Sequence, residues 1–388
     1  MSAATVHPPQ RQTESGPTLR PGIRAANADD LDALVALEQD AFTGDRLSRR
    51  QLRYLLVRAR GQTLVAESED KVIGYVTVLF SRAIANARVY SIAVNQRFRG
   101  LGTGGTLLDA AEDAALENGC VAMRLEVRTD NEPAIKLYRA RGYRPIETVA
   151  DYYDDNEPAL RFEKPLGHEL APRPLRVPYY RQTLEFTCGP AALMMAMKTL
   201  APELAMGRAL EIELWRESTT VFMTSGIGGC TPFGLALAAL KRGFAVELYT
   251  SAGQSFFANS VRSPVKKEVI RLVQEGFIRE LKRLDTPIHR GSLAPAELMR
   301  RVDGGEIPVV LISSYRIYEE KAPHWVVVTG YDERFVYVHD PYVDSDEGET
   351  IVDSLNMPIL HREFARMTRY GRAGLQAALF VSRPRARG

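Results

Sequence analysis

The stretch Gln96-Arg97-Phe98-Arg99-Gly100-Leu101-Gly102-Thr103-Gly104-Gly105 constrains the first half of this chain more than any other. A β-branched run from Arg88 to Val94 leads into it, and Leu107, Leu108 and Ala111 follow on one face at helical spacing, so the order is strand, loop, helix. Glycines let a backbone approach a ligand closely, and a helix start presents unpaired N–H groups with the positive end of the dipole behind them. The loop is therefore suited to cradle phosphate oxygens, and Arg97 and Arg99 add charge at its mouth.

Gly100, Gly102 and Gly105 also satisfy the spacing of a dinucleotide fingerprint, with Glu126 at about the right distance for a ribose-binding acid. In that fold the strand feeds directly into the first glycine, whereas here the basic insert Asn95 to Arg99 intervenes. The residues beyond the loop helix decide between the two readings. Glu126 sits in Arg124-Leu125-Glu126-Val127-Arg128, and Asn131, Ala134, Leu137, Tyr138, Gly142 and Tyr143 come after it in the order Asn-x-x-Ala-x-x-Leu-Tyr-x-x-x-Gly-aromatic.

On those residues, 20–165 resembles the GNAT acyl-CoA N-acetyltransferases, and within them the ribosomal-protein alanine N-acetyltransferase type. The resemblance implies acetyl-CoA as co-substrate. Its pyrophosphate would be held by the backbone of Arg97, Arg99, Gly100, Leu101 and Gly102, with Ile92, Val94, Thr103, Gly104, Asn131 and Tyr138 completing the cofactor site. It also implies Glu126 as general base and Tyr138, twelve positions on, as general acid. The residue types suit the chemistry: an α-amine must lose a proton before it attacks a thioester, and the leaving thiolate must gain one.

At 388 residues the chain exceeds one ordinary core, which predicts two domains. Lys+Arg 50 against Asp+Glu 48 gives a net charge of +2, which argues against nucleic-acid or membrane-surface binding driven by bulk charge. No apolar run reaches membrane-spanning length and no signal core opens the chain. Three cysteines, Cys120, Cys188 and Cys230, fit a reducing compartment, so a cytoplasmic location is expected. The Cys and His residues show no metal-ligand spacing, and no metal is expected.

Residues 1–19 read as a polar tail, 20–165 as the first domain, 166–176 as a proline-rich linker and 177–388 as a second domain. Within the first domain the pattern predicts a strand from Arg20 to Arg24, then a helix capped by Asn27 to Asp30 with Leu31, Leu34 and Leu37 on its apolar stripe. A second helix, Leu47 to Arg60 with Ser48 as N-cap, precedes a hairpin of Thr63 to Glu67 and Val72 to Phe80. Short strands are expected at Thr148 to Tyr153 and Ala159 to Glu163.

The second domain has its own chemical centre. Cys188 stands just before an apolar helix, Ala191 to Leu200, where the dipole favours a thiolate nucleophile. His324 opens a strand and Asp340 closes the next one, so adjacent antiparallel strands bring them together. Asp332 is a rival orienter in a turn, and Thr231-Pro232 starts a further helix. His168, His289, His339 and His361 read as structural or surface residues.

Cys188, His324 and Asp340 in that order, with Gln182 six positions before the Cys, resemble the papain-like cysteine peptidases of the bacteriocin-processing type over about 175–385. The resemblance implies Cys188 as nucleophile, His324 as base and then acid, Asp340 as its orienter and Gln182 in the oxyanion hole. Those peptidases are usually fused to a membrane exporter, and this sequence shows none, so the natural reaction need not be leader cleavage. The fold class expected is α/β (α+β): a GNAT acyltransferase fold with a mixed central sheet, then a papain-like fold. The acceptor expected is a peptide or protein N-terminus. The rival expectations are a catalytically silent peptide-recognition module in the second domain, or a small-molecule amine acceptor for the first.

Overall fold

The computed structural model describes residues 21–42, 44–81, 83–166, 175–223, 226–251, 256–258, 261–320, 322–344 and 351–383. The polar tail expected at 1–19 and most of the linker, 167–174, lie outside them. The chain divides into two compact units, one within Met1–Phe80 and Ala87–Leu166, the other within Ser81–Asn86 and Gly167–Gly388.

In chain order the first unit contains β1 (Gly22–Ala25), α1 (Leu31–Ala41), α2 (Arg49–Val57), β2 (Gly61–Ser68), β3 (Lys71–Phe80), β4 (Asn86–Val94), α3 (Thr103–Glu117), β5 (Ala122–Arg128), α4 (Glu132–Ala140), β6 (Arg144–Val149) and β7 (Ala159–Pro165). Its sheet has the order β1-β2-β3-β4-β5-β7-β6. Local chemistry sets several boundaries. Ser48 closes a capping box with Gln51 at the start of α2, and Asn27 caps a short 3-10 turn that runs into α1. Glu69 and Asp70 both take left-handed φ, at +50° and +57°, which gives the two-residue turn that matches the twist of the β2–β3 hairpin. Leu107, Leu108 and Ala111 of α3 are fully buried in one core with Val76, Val78 and Met123.

The helix expected at Ala191 to Leu200 starts three residues earlier, at Cys188, and two other boundaries depart further from expectation. The helix begun at Ser48 ends at Val57, because Gly61 already pairs with Leu79 in the sheet. The strand expected at Thr148 to Tyr153 is β6, Arg144–Val149: its ladder with β7 ends at Val149, and Asp151 turns the chain at φ +51°. Tyr152 and Tyr153 therefore leave the sheet and are free to meet side chains of the site.

The second unit contains α5 (Cys188–Leu200), α6 (Arg208–Ser218), β8 (Phe222–Met223), β9 (Gly226–Ile227), α7 (Pro232–Lys241), β10 (Ala245–Thr250), α8 (Pro264–Arg283), β11 (Ile288–Arg290), α9 (Pro295–Asp303), β12 (Ile307–Ser313), α10 (Tyr315–Tyr318), β13 (Pro323–Tyr331), β14 (Phe335–His339), β15 (Met357–Leu360), α11 (His361–Met367) and β16 (Ala377–Ser382). The main sheet runs β11-β10-β16-β12-β13-β14-β15, with β10 and β11 parallel and the other pairs antiparallel. The apolar α5 and α7 pack with Leu311, Trp325, Val327 and Leu379 of the sheet in a continuous core. Gly189 lets α5 come close, since a Cβ there would meet Cys230, Leu235 and Trp325 at 3.2 Å. Thr231 caps α7 by accepting from the Gly234 amide.

His339, 3% exposed, ties β14 to the entry of this unit: its Nε2 donates to Val177 O at 3.0 Å and its Nδ1 accepts from the Asn356 amide at 3.0 Å. Burial lowers its pKa to about 4, so the folded chain holds the neutral ring. The unfolded chain binds the proton near 6.5, so His339 stabilises fully above that pH, and the contribution is lost as pH falls from 6.5 towards 4. The contribution is on the order of 3 kcal/mol. Unfolding free energies from urea titrations at pH 7.5 and 4.5 check this: the drop on acidification is smaller by about 2–3 kcal/mol in His339→Gln than in the parent chain.

Candidate active sites

In the first unit the glycine loop is shaped from both sides. The Asn95 side chain accepts from the Arg97 amide at 3.1 Å and opens a 3-10 turn at Gln96–Phe98, while Arg99 Nε donates to Val94 O at 3.0 Å. Gly100 and Gly102 take φ of +77° and +89°, which folds the backbone over the N-terminus of α3. Among the described residues, the amides of 100–105 make no hydrogen bond within the protein. The Thr103 hydroxyl, on the first residue of α3, is buried without a partner. Six N–H donors, an orphaned hydroxyl and a helix dipole are what a pyrophosphate takes, so the loop fits the co-substrate implied by its sequence.

One detail is corrected: the Arg97 and Arg99 amides are bonded inside the turn, to Asn95 Oδ1 and Gln96 O, so the donor run starts at Gly100 and the two arginines offer side chains only. Ile92 and Val94 stand half-buried at the end of β4, and Asn131 serves as the N-cap of α4, its Oδ1 accepting from the Ala134 amide at 3.2 Å.

Glu126 projects from β5 with its side chain 6% exposed. Arg161 Nε donates to its Oε1 at 2.7 Å and Arg88 Nε to its Oε2 at 2.9 Å. Arg88 also donates to the Tyr152 hydroxyl at 2.6 Å, which places the redirected segment after β6 beside this carboxylate. Arg161, Arg88 and Tyr152 went unread in the sequence. The Tyr138 ring is buried against Tyr143 and Phe162, and burial pushes its phenol up to about 12. At neutral pH it keeps its proton.

In the second unit Cys188 is the first residue of α5, so its N–H and that of Gly189 have no carbonyl one turn back. Pro190 at the third position forfeits nothing, since its N–H would be unpaired there. His324 on β13 and Asp340 just past β14 meet across an antiparallel pair in which Val327 faces His339. His324 Nε2 donates to Asp340 Oδ1 at 2.6 Å, and Cys188 lies near enough to the same imidazole to raise its pKa. With Nε2 committed to the carboxylate, Nδ1 is the nitrogen left for the thiol. Burial pushes His324 down, but the charges of Asp340 and Cys188 and their hydrogen bonds outweigh it and hold the imidazole well above its ordinary value.

Asp340 is fully buried and held by three donors: besides His324, Oδ1 accepts from the Tyr342 amide at 2.8 Å and Oδ2 from the Tyr318 hydroxyl at 3.1 Å. The rings of Tyr318 and Tyr342 stand edge-on to His324. The rival Asp332 is spent on its own turn, accepting from the amides of Arg334 and Phe335 and from the Tyr337 hydroxyl. Gln182, 8% exposed, donates from Nε2 to Leu184 O at 2.9 Å, and its Oε1 is buried without a partner. Nε2 keeps a second N–H. The other cysteines are buried, and burial raises both thiols, Cys120 to about 11. Among the described residues no group of three or more His, Cys, Asp or Glu could hold a metal ion, and no helix is long and apolar enough to cross a membrane.

A family model described as Peptidase_C39 like matches residues 177–382, over half of the chain. The chain belongs to the Peptidase_C39 like family. The acetyltransferase (GNAT) family model matches residues 31–143. An N-alpha-acetyltransferase of Sulfurisphaera tokodaii is 34% identical over 159 residues, 37% of this chain and 92% of the relative. An uncharacterized N-acetyltransferase of Methanocaldococcus jannaschii is 33% identical over 139 residues, 36% of this chain and 87% of the relative. A putative [ribosomal protein bS18]-alanine N-acetyltransferase of Bacillus subtilis is 28% identical over 134 residues, 34% of this chain and 87% of the relative. The first unit is therefore a GNAT N-acetyltransferase domain, joined in one chain to a Peptidase_C39 like domain.

Proposed function

We propose that the GNAT domain transfers the acetyl group of acetyl-CoA to the α-amine of a peptide or protein. The observation that carries this is the run of unpaired amides from Gly100 to Gly105 beside the orphaned Thr103 hydroxyl, a cradle for pyrophosphate. The names of the relatives favour a protein N-terminus over a small amine. Bound acetyl-CoA supplies the activated thioester. Glu126, fixed by Arg88 and Arg161, takes the proton of the attacking amine directly or through a water, since each carboxylate oxygen has a further lone pair. Tyr138, protonated at neutral pH, donates to the departing thiolate. Incubating peptides of defined N-terminus and, separately, polyamines with the chain and acetyl-CoA tests the reading: peptides gain one acetyl on the α-amine, and acetylation of polyamines alone contradicts it.

The Peptidase_C39 like domain we read as a thiol peptidase rather than a silent recognition module. The assembled Cys188, His324 and Asp340 chain favours this, because a module that only binds peptides has no use for a buried carboxylate held by three donors beside a histidine. His324 takes the Cys188 proton, the thiolate attacks the acyl carbon, and His324 returns the proton to the leaving amine. The Cys188 N–H and the second Gln182 Nε2 hydrogen serve the oxyanion. Asp340→Asn tests the charge arrangement. Losing the carboxylate lowers the pH at which His324 sheds its proton, so iodoacetamide labelling of Cys188 at pH 6 slows by about tenfold while the rate at pH 9 changes little. Equal rates at both pH values in the two proteins contradict the assignment.

A further inference from the structure

We infer that Glu211 is the positioning residue for the oxyanion side of the Cys188 site. The inference rests on the thiol-peptidase reading above. Glu211 lies on α6 and is fully buried, with no ion pair to a cation among the described residues. Oε1 accepts from the Thr183 amide at 2.8 Å and from the Thr187 hydroxyl at 2.5 Å, and Oε2 accepts from the Thr183 hydroxyl at 2.7 Å and the Tyr180 hydroxyl at 3.0 Å. A carboxylate buried without a counter-ion is costly unless neutral donors fill its lone pairs, and here four do.

All four donors come from one short segment, 180–187. Thr183 follows Gln182 directly, and Thr187 directly precedes Cys188. The Gln182 amide adds an anchor on the other side, donating to Pro341 O at 2.8 Å, one residue past Asp340. Glu211 thus fixes the path between the two groups that would donate to an oxyanion, Gln182 Nε2 and the Cys188 N–H, and touches neither the thiol nor His324. The geometry separates two functions: His324 and Asp340 govern the reactivity of sulfur, and Glu211 governs the spacing of the oxyanion donors.

Two reactions of the same sulfur distinguish these functions without a known substrate. Iodoacetamide forms an S–C bond and releases iodide with no oxyanion. p-Nitrophenyl acetate forms an S–acetyl bond through a tetrahedral oxyanion and releases p-nitrophenolate. Both rates are measured on the full chain, with Cys188→Ala as the background. Glu211→Gln, which sets an amide N–H against donors, is expected to slow acetylation of Cys188 about 30-fold and alkylation less than about 3-fold, short of the roughly 10²–10³-fold that outright loss of an oxyanion donor costs, because the donors are displaced rather than removed. Gln182→Ala gives the same selective loss, and the double variant is no slower than the slower single one. Should Glu211→Gln fail to fold, Thr183→Val removes one donor and is expected to slow acetylation alone about 5-fold. A parallel fall in both rates, or no change in either, overturns the positioning role. A parent chain whose Cys188 reacts with neither reagent overturns the peptidase reading itself, before any Glu211 variant is compared.

Discussion

Cys188→Ala is expected to abolish the proposed peptide cleavage, a loss of about 10⁴-fold or more, and to leave acetyl transfer by the GNAT domain unchanged. The size follows from how a nucleophile, base and orienter act as a unit: without sulfur there is no covalent intermediate, and only substrate binding and the oxyanion donors remain. His324→Ala is expected to reach nearly the same floor, since on the proposed mechanism Nδ1, the ring nitrogen not committed to Asp340, takes the thiol proton. Cys188→Ala changes little else, because the residue sits at the first position of α5 and contributes no cap there. Mass spectrometry of peptides after incubation checks the cleavage, and the melting temperature checks that the fold is intact. Cleavage that persists in Cys188→Ala removes the thiol from the mechanism.

Gly102→Val is expected to raise the KM for acetyl-CoA by about 100-fold and to leave the proposed cleavage by the Peptidase_C39 like domain as it was. Gly102 sits at φ +89°, where a β-branched residue is strained, and its amide belongs to the unbonded run proposed to cradle pyrophosphate. A backbone that relaxes towards negative φ turns the amides of Thr103 and Gly104 away from their common focus, and the valine side chain occupies the approach. The strain itself costs about 1–2 kcal/mol, so a melting temperature lower by a few degrees accompanies the loss of affinity. Initial rates at varied acetyl-CoA with one fixed peptide acceptor give the comparison; an unchanged KM refutes the cradle.

The features read most directly from sequence are local in the chain. A glycine loop between a β-branched run and an apolar helix announces itself over about twenty residues, and so does a cysteine ahead of Ala191 to Leu200. The meeting of His324 and Asp340 required only that two consecutive strands lie side by side. Side chains supplied from a distance were silent. Arg161 and Arg88 flank Glu126 from 35 and 38 residues away, and nothing in their neighbourhoods marks them as partners. Tyr318 and Tyr342 surround His324 from a short helix and a turn with no motif. Glu211 did leave a trace: it stands at helical spacing with Leu214, Trp215 and Ser218, a charge on the stripe that should be apolar. The end of β6 is not legible in the sequence because Tyr152 and Tyr153 look like strand residues, and their partners Arg88 and Arg128 belong to other strands.

The measurement that bears most directly on the two-site account is mass spectrometry of a peptide library incubated with acetyl-CoA and the parent chain, Cys188→Ala or Glu126→Gln. The account predicts that the parent both shortens peptides and adds acetyl to α-amines. It predicts that Cys188→Ala loses the shortening alone, and that Glu126→Gln loses most of the acetyl transfer alone. Peptides that gain acetyl but are never cut, by any form of the chain, contradict it and leave the second domain as a peptide-binding module.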